Sequence, residues 1–204
     1  QGDTQLKLAA MSDLINGKAK AYVHVMRAAD IQATVLFAKE MGMQPVIVGG
    51  SEAYLITDFL KREKVPVILS STQALPMNED DDIDQPFKNP ALLAESGVTF
   101  AMSHGGYWEQ RNLAFTAGSA VAYGLDYEKA IEALTLTPAK ITGIAKDYGS
   151  LEAGKSATLI IVQGDVLDMR TSEVEHAFID GRAVNLDNKQ AELDRKFREK
   201  YSRQ

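Results

Sequence analysis

The three histidines are the residues best suited to chemistry in this chain. His24 ends the apolar run that begins at Ala21-Tyr22-Val23. His104 stands in Ser103-His104-Gly105-Gly106, directly after Val98-Thr-Phe-Ala-Met102. Both runs read as strands, and each histidine falls near a strand's C-terminal end. In parallel sheets and barrels, ligands meet that end. Imidazole there can ligate a metal or move a proton near neutral pH. His176 falls within a later strand and does not share this placement. A single strand histidine is more often structural than functional; two at equivalent strand ends point to a shared pocket. Arg27 and Glu52 follow the first two strand ends, so they either face that pocket or serve as ion-pair partners and helix caps.

Other chemistries are excluded. The chain has no cysteine, which removes disulfides, zinc ribbons and thiol nucleophiles. There is no G-x-S-x-G elbow. Ser103 and His104 are not a dyad by adjacency, because neighbouring strand side chains point to opposite faces. A catalytic zinc needs about three protein ligands, and spacing alone offers two histidines and no His-x-His pair. Gly149 to Ser156 spell G-x-x-x-x-G-K-S, the phosphate-loop pattern. That loop needs a strand before it and a helix after it. Here a helix is expected before and a strand after, so the match is read as a glycine-rich turn.

The elements that must position these residues alternate. Strands are expected at 21–26, 45–48, 65–69 and 98–102. Helices are expected from Asp30 to Met41 with Asp30 as cap and Gly42 as stop, from about 52 to 63 behind Ser51, and from about 109 to 123. Short apolar strands without alternation belong to a parallel sheet covered on both faces. Residues 70–90, with three prolines and the acidic run 79–84, read as a long loop at a strand's C-terminal end. Beyond it, Asp126 caps a helix to about Leu134, and Thr137-Pro138 starts another. Residues 157–162 and 174–179 read as strands, with Asp180-Gly181 as a tight turn. The charged tail from Asp187 to 204 reads as a surface helix. The expected organisation is a partial (β/α) barrel over 1–148, a β part over 149–186 and the tail over 187–204.

The 204 residues are 45% hydrophobic and 25% charged, a globular balance rather than a disordered one. With 22 basic and 28 acidic residues the net charge is −6, which argues against nucleic-acid partners and anionic membranes. The longest aliphatic run, Leu159 to Val162, is far short of the roughly 20 residues a membrane span needs. The chain opens on Gln1 rather than Met, which reads as an interior start.

Thr135-Leu-Thr-Pro-Ala139, Gly143-Ile144, Gly149-Ser-Leu-Glu-Ala-Gly-Lys-Ser-Ala157 and Ile179-Asp-Gly181 follow one another in an order that resembles the metal-dependent amidohydrolase superfamily, nearest its imidazolonepropionase-like branch. The likeness reaches upstream through Val23-His24, Val48-Gly-Gly-Ser-Glu52 and Val98 to Met102. It implies α/β architecture: strands five to eight of a (β/α)8 barrel and the C-terminal share of a small β-sandwich, from a parent about twice this length. His24 matches the family's metal-binding histidine on the fifth strand. The sixth-strand histidine should fall near Gly49, and the eighth-strand aspartate at 103–105, where none stands. His104 partly replaces that aspartate.

The resemblance implies a parent that hydrolyses C–N bonds of amides or cyclic amides, with zinc or another divalent metal activating water. His24 is then the metal ligand, His104 the catalytic residue, and Arg27 and Ser103 bind a small-molecule substrate. The alternative is a degenerate non-metal barrel that binds a ligand through Ser103, His104 and Arg27. In both cases the isolated piece is expected to lack activity and metal. Half a barrel leaves two open sheet edges, so self-association or pairing with the missing N-terminal half is expected.

Overall fold

The computed structural model describes residues 6–202. Gln1 and the last two positions of the charged tail lie outside them. Two compact units divide at Ser150 and Leu151.

In the first unit, α1 (Leu6–Ala10) and α2 (Ser12–Ile15) lead into β1 (Lys20–Val25), α3 (Ala28–Glu40) and β2 (Gln44–Gly49). A 3-10 turn (Ala53–Ile56), α4 (Thr57–Glu63) and β3 (Val67–Leu69) follow, then α5 (Gln85–Ser96) and β4 (Phe100–Met102). A second 3-10 turn (Glu109–Asn112) precedes α6 (Leu113–Ala122), α7 (Tyr127–Leu134) and α8 (Leu136–Thr142). The four strands form one parallel sheet in the order β1-β2-β3-β4. Each pair is joined through at least one helix, as parallel pairing requires. This is the expected half of a (β/α)8 barrel.

Strand alternation gives the sheet two faces. Ile47 and Val67 on one face are wholly buried, as are Ile31 and Val35 of α3, which packs on β1 and β2. On the other, inner face, Val46, Ile68 and Ala101 pack with Ile141 of α8. Lys20 Nζ and Tyr22 Oη both donate to the Ile141 carbonyl near the end of that helix. Ile141 therefore closes the inner face at its N-terminal end.

Several boundaries differ from the sequence expectation. α3 starts at Ala28, not behind Asp30, because its cap is tertiary: Glu52 Oε2 accepts the Ala28 N–H at 2.8 Å. Glu52 is thus a capping residue. Residues 52–63 are not one helix; Ser51 caps nothing, and a 3-10 turn precedes α4. β3 starts at Val67, after Pro66, which has no N–H to give the ladder. β4 begins at Phe100 rather than Val98, and the helix expected from 109 opens as a 3-10 turn. The loop expected to reach residue 90 ends at Asp84, where α5 starts with Pro86 in its first turn. A first-turn proline loses no intrahelical bond. α8 starts two residues earlier than expected, with Thr135 at its N-cap and Thr137 buried inside it. Asp126 does cap α7, accepting the Lys129 N–H at 3.0 Å.

The second unit holds β5 (Leu159–Gln163), β6 (Glu173–Ile179) and β7 (Arg182–Ala183) in an antiparallel sheet, and α9 (Lys189–Ser202). Asp180 and Gly181, both at positive φ (49° and 77°), turn β6 into β7. Gly149 to Ser156 lie between helix α8 and strand β5, the inverse of a phosphate loop. In the β5–β6 connection, Arg170 bonds both oxygens of Asp168, at 3.1 and 2.8 Å. That guanidinium holds the Asp168 carboxyl at about 2. Its folded value lies below the unfolded one, so its contribution is complete above the ordinary carboxylate range and fades as pH falls toward 2. An NMR titration of Arg170→Ala is expected to raise Asp168 toward, but not fully to, the ordinary carboxylate range, because the residue-170 backbone N–H still donates to Oδ1.

Candidate active site

The C-terminal ends of the four strands carry the residues singled out from the sequence. His24 is exposed on the inner face of β1, paired in register with Val48 of β2. Val48 pairs with Ile68 and Ile68 with Ala101, so His24-Val48-Ile68-Ala101 form one row across the sheet. His24 thus stands in the open part of the face that Ile141 closes lower down. Ser103 lies two residues beyond Ala101, at the opposite sheet edge from His24. Three strand spacings separate the two, about 14 Å along the sheet.

Ser103 is tied to the scaffold. Its N–H and its hydroxyl both donate to the Leu69 carbonyl, at 2.8 and 3.0 Å. The hydroxyl proton is therefore used, and what Ser103 offers a ligand is an oxygen acceptor. His104 follows it, half-buried, in the segment before the 3-10 turn. Arg27 is the exposed N-cap residue of α3, in extended backbone (φ −82°, ψ 143°). His176 is exposed on β6, opposite Ile161, in the second unit.

Gly49 explains why the expected second histidine is absent. It sits at φ +108°, and a Cβ there would lie 2.4 Å from Met26 Sδ and 3.0 Å from the Val25 carbonyl oxygen. The Met26 thioether fills the space a side chain at 49 would need. Met26 is also approached by the Ser51 hydroxyl, 3.6 Å from its sulfur. Position 49 is thus a glycine–methionine contact.

Metal fit follows from this inventory. Among the described residues, no three of His, Cys, Asp and Glu come together to hold a metal ion. His24 is a fitting single ligand, and the described residues do not complete a centre around it.

Sequence reasoning missed a second set of residues. A cavity of about 90 Å³ lies at the ends of β2 and β3, between the 70–77 segment and α5. Glu52, Asp81, Ser71, Gln85 and Asn89 line it, whereas His24, Arg27, Ser103 and His104 do not. The reading of 70–90 as a functional loop pointed to this region. It could not single out Asn89, because α5 was not expected.

Residues 90–184 match the model of the amidohydrolase family. The comparison with curated proteins gives no match. Among solved structures, an amidohydrolase from Thermotoga maritima MSB8 is similar at 31% identity and TM-score 0.79, over 91% of this chain and 48% of that one. A Xaa-Pro dipeptidase with bound methionine shares the fold at 20% identity and TM-score 0.64, over 87% of this chain and 47% of that one. So does an adenosine deaminase from Xanthomonas campestris with bound zinc, at 17% identity and TM-score 0.60, over 90% and 51%. The chain therefore spans about half the length of the solved proteins it matches. By its family match over residues 90–184, by its likeness to the Thermotoga maritima protein and by its half barrel with an accompanying β unit, the chain resembles the amidohydrolase family.

Proposed function

We propose that this chain is the C-terminal part of a hydrolase that cleaves C–N bonds of amides or cyclic amides. The observation that carries the reading is His24: an exposed imidazole at the C-terminal end of a parallel strand, on the open inner face. The family match over residues 90–184 and the 31% identity to the Thermotoga maritima amidohydrolase support it. The names of the dipeptidase and the deaminase denote cleavage at carbon–nitrogen bonds in those proteins.

In this reading the rest of the barrel supplies the missing ligands and covers the open edges of β1 and β4. A divalent metal such as zinc, when bound, would lower the pKa of a water and polarise the substrate carbonyl. The residues of this chain do the rest. His24 offers a ring nitrogen as a ligand. Exposed Arg27 orients a small anionic or carbonyl-bearing substrate. The Ser103 oxygen accepts a substrate N–H, and His104 moves a proton at the opposite edge. The apolar residues Ile160, Ile161, Val174 and Ile179, exposed on the second unit, fit a β-sandwich completed by strands from the other half.

The Met26–Gly49 contact favours a second reading. A barrel that fills its sixth-strand ligand position with a thioether is suited to bind a ligand through Arg27, Ser103 and His104 without metal. Plasma mass spectrometry on the longer protein separates the two. About one equivalent of zinc, iron or manganese, together with amide hydrolysis, is expected. A metal-free, folded protein that still binds a small ligand would establish the binding barrel instead.

A further inference from the structure

We propose that the cavity at the ends of β2 and β3 binds the ammonium group of a small primary amine. This site is separate from the His24 face and does not rest on the hydrolase reading.

Hydrogen-bonding capacity is left unused around this cavity. Asn89 is 3% exposed. Its Nδ2 donates to the carbonyls of Gly50 and Ser51, each at 3.2 Å. Carbonyls only accept, so the amide cannot be turned round, and Oδ1 must point away from them. That oxygen is buried and has no hydrogen-bond partner among the described residues. Ser71 Oγ and Gln85 Nε2 are buried and without a partner in the same way, and all three side chains line one cavity. Buried polar atoms are normally satisfied, so the two orphaned oxygens, Asn89 Oδ1 and Ser71 Oγ, mark a place for a donor, whereas the Gln85 amide N–H needs an acceptor that an ammonium does not supply.

The sign of the charge selects the ligand. Glu52 and Asp81 line the cavity, and no lysine, arginine or histidine does. Asn78 fixes both carboxylates: Nδ2 donates to Glu52 Oε1 at 3.3 Å and to Asp81 Oδ2 at 3.0 Å. The field they set up is felt by Tyr54, whose hydroxyl is pushed up by burial and then by Asp81, Glu52 and Asp80. Asn89 Oδ1 requires a donor, and the carboxylates favour a cation. An ammonium offers three donors and one positive charge. The lining also includes Leu69, Met77 and Pro86, apolar surface that suits a short carbon chain. The volume of about 90 Å³ exceeds the roughly 10–15 Å³ that one water takes, so several heavy atoms fit.

The test is a titration of the full chain with ethylammonium chloride, followed by the side-chain amide signals of Asn89 and Gln85 in nitrogen–proton NMR. Saturable shifts are expected, absent with ethanol and with potassium chloride at equal concentration. Removing one carboxylate by Asp81→Asn is expected to weaken binding about tenfold. Ser71→Ala, which leaves the Asn78 contacts intact, is expected to weaken it less while the melting temperature holds. A wild-type chain showing no saturable shift would mean the cavity holds solvent only and would overturn the proposal. Equal shifts with potassium would overturn it as well, in favour of a metal-cation site.

Discussion

In the longer protein, His24→Ala is expected to lower bound metal and kcat/KM together, by at least about a hundredfold. Outer-shell partners of metal ligands alone cost about 10–100-fold, and His24 is read as a ligand itself. Its exposed imidazole makes no hydrogen bond to another described residue. The substitution should therefore leave stability within about 0.5 kcal/mol, as is usual for surface changes. A paired measurement of metal content and unfolding midpoint checks this. Loss of metal with an unchanged midpoint supports the ligand role. Unchanged metal and turnover would remove His24 from the mechanism and favour the binding barrel.

The second large effect is expected at Gly49. Gly49→His restores the residue that the family resemblance places there, yet it should cost about 3 kcal/mol and gain no metal affinity. Two terms add. A non-glycine residue in a rare left-handed conformation costs about 1–3 kcal/mol, and Gly49 sits at φ +108°. Crowding costs about another 1–3 kcal/mol: the new Cβ would meet the Val25 carbonyl oxygen, backbone that cannot turn aside, at 3.0 Å, besides displacing the flexible Met26 thioether. Chemical denaturation and zinc titration read the two parts separately. A variant that folds normally and binds zinc more tightly would show that Met26 yields, and that the ligand position is merely vacant rather than rebuilt.

Much of the fold is legible in the sequence because its signals are local. The strands at 20–25, 44–49 and 100–102 are built around short apolar runs, Ala21 to Val23, Pro45 to Val48 and Phe100 to Met102. Asp126 caps by its own side chain, and Asp180-Gly181 turns by its own backbone. What escaped has tertiary causes. The start of α3 is fixed by Glu52, 24 positions away. Helix α5 was hidden because Pro86 and Pro90 read as loop residues, although a first-turn proline is compatible with a helix. Pro90 is buried inside α5. The candidate site divides the same way. His24 and His104 announce themselves by type and by position after a strand. The Met26–Gly49 contact and the orphaned oxygen of Asn89 depend on which atoms meet in space, and no spacing rule reports that.

The strand order has a consequence for how the chain acquires its shape. Every pair in the parallel sheet joins strands that are neighbours in sequence. No strand has to wait for a distant later segment before it finds a partner within this sheet. During synthesis β2 can dock on β1, β3 on β2 and β4 on β3 as each leaves the ribosome, with loop closures kept short. Ile141 comes last and locks the base of the inner face from α8. Assembly can thus run in the direction of translation, with the plug that finishes the layer following all four strands in the chain.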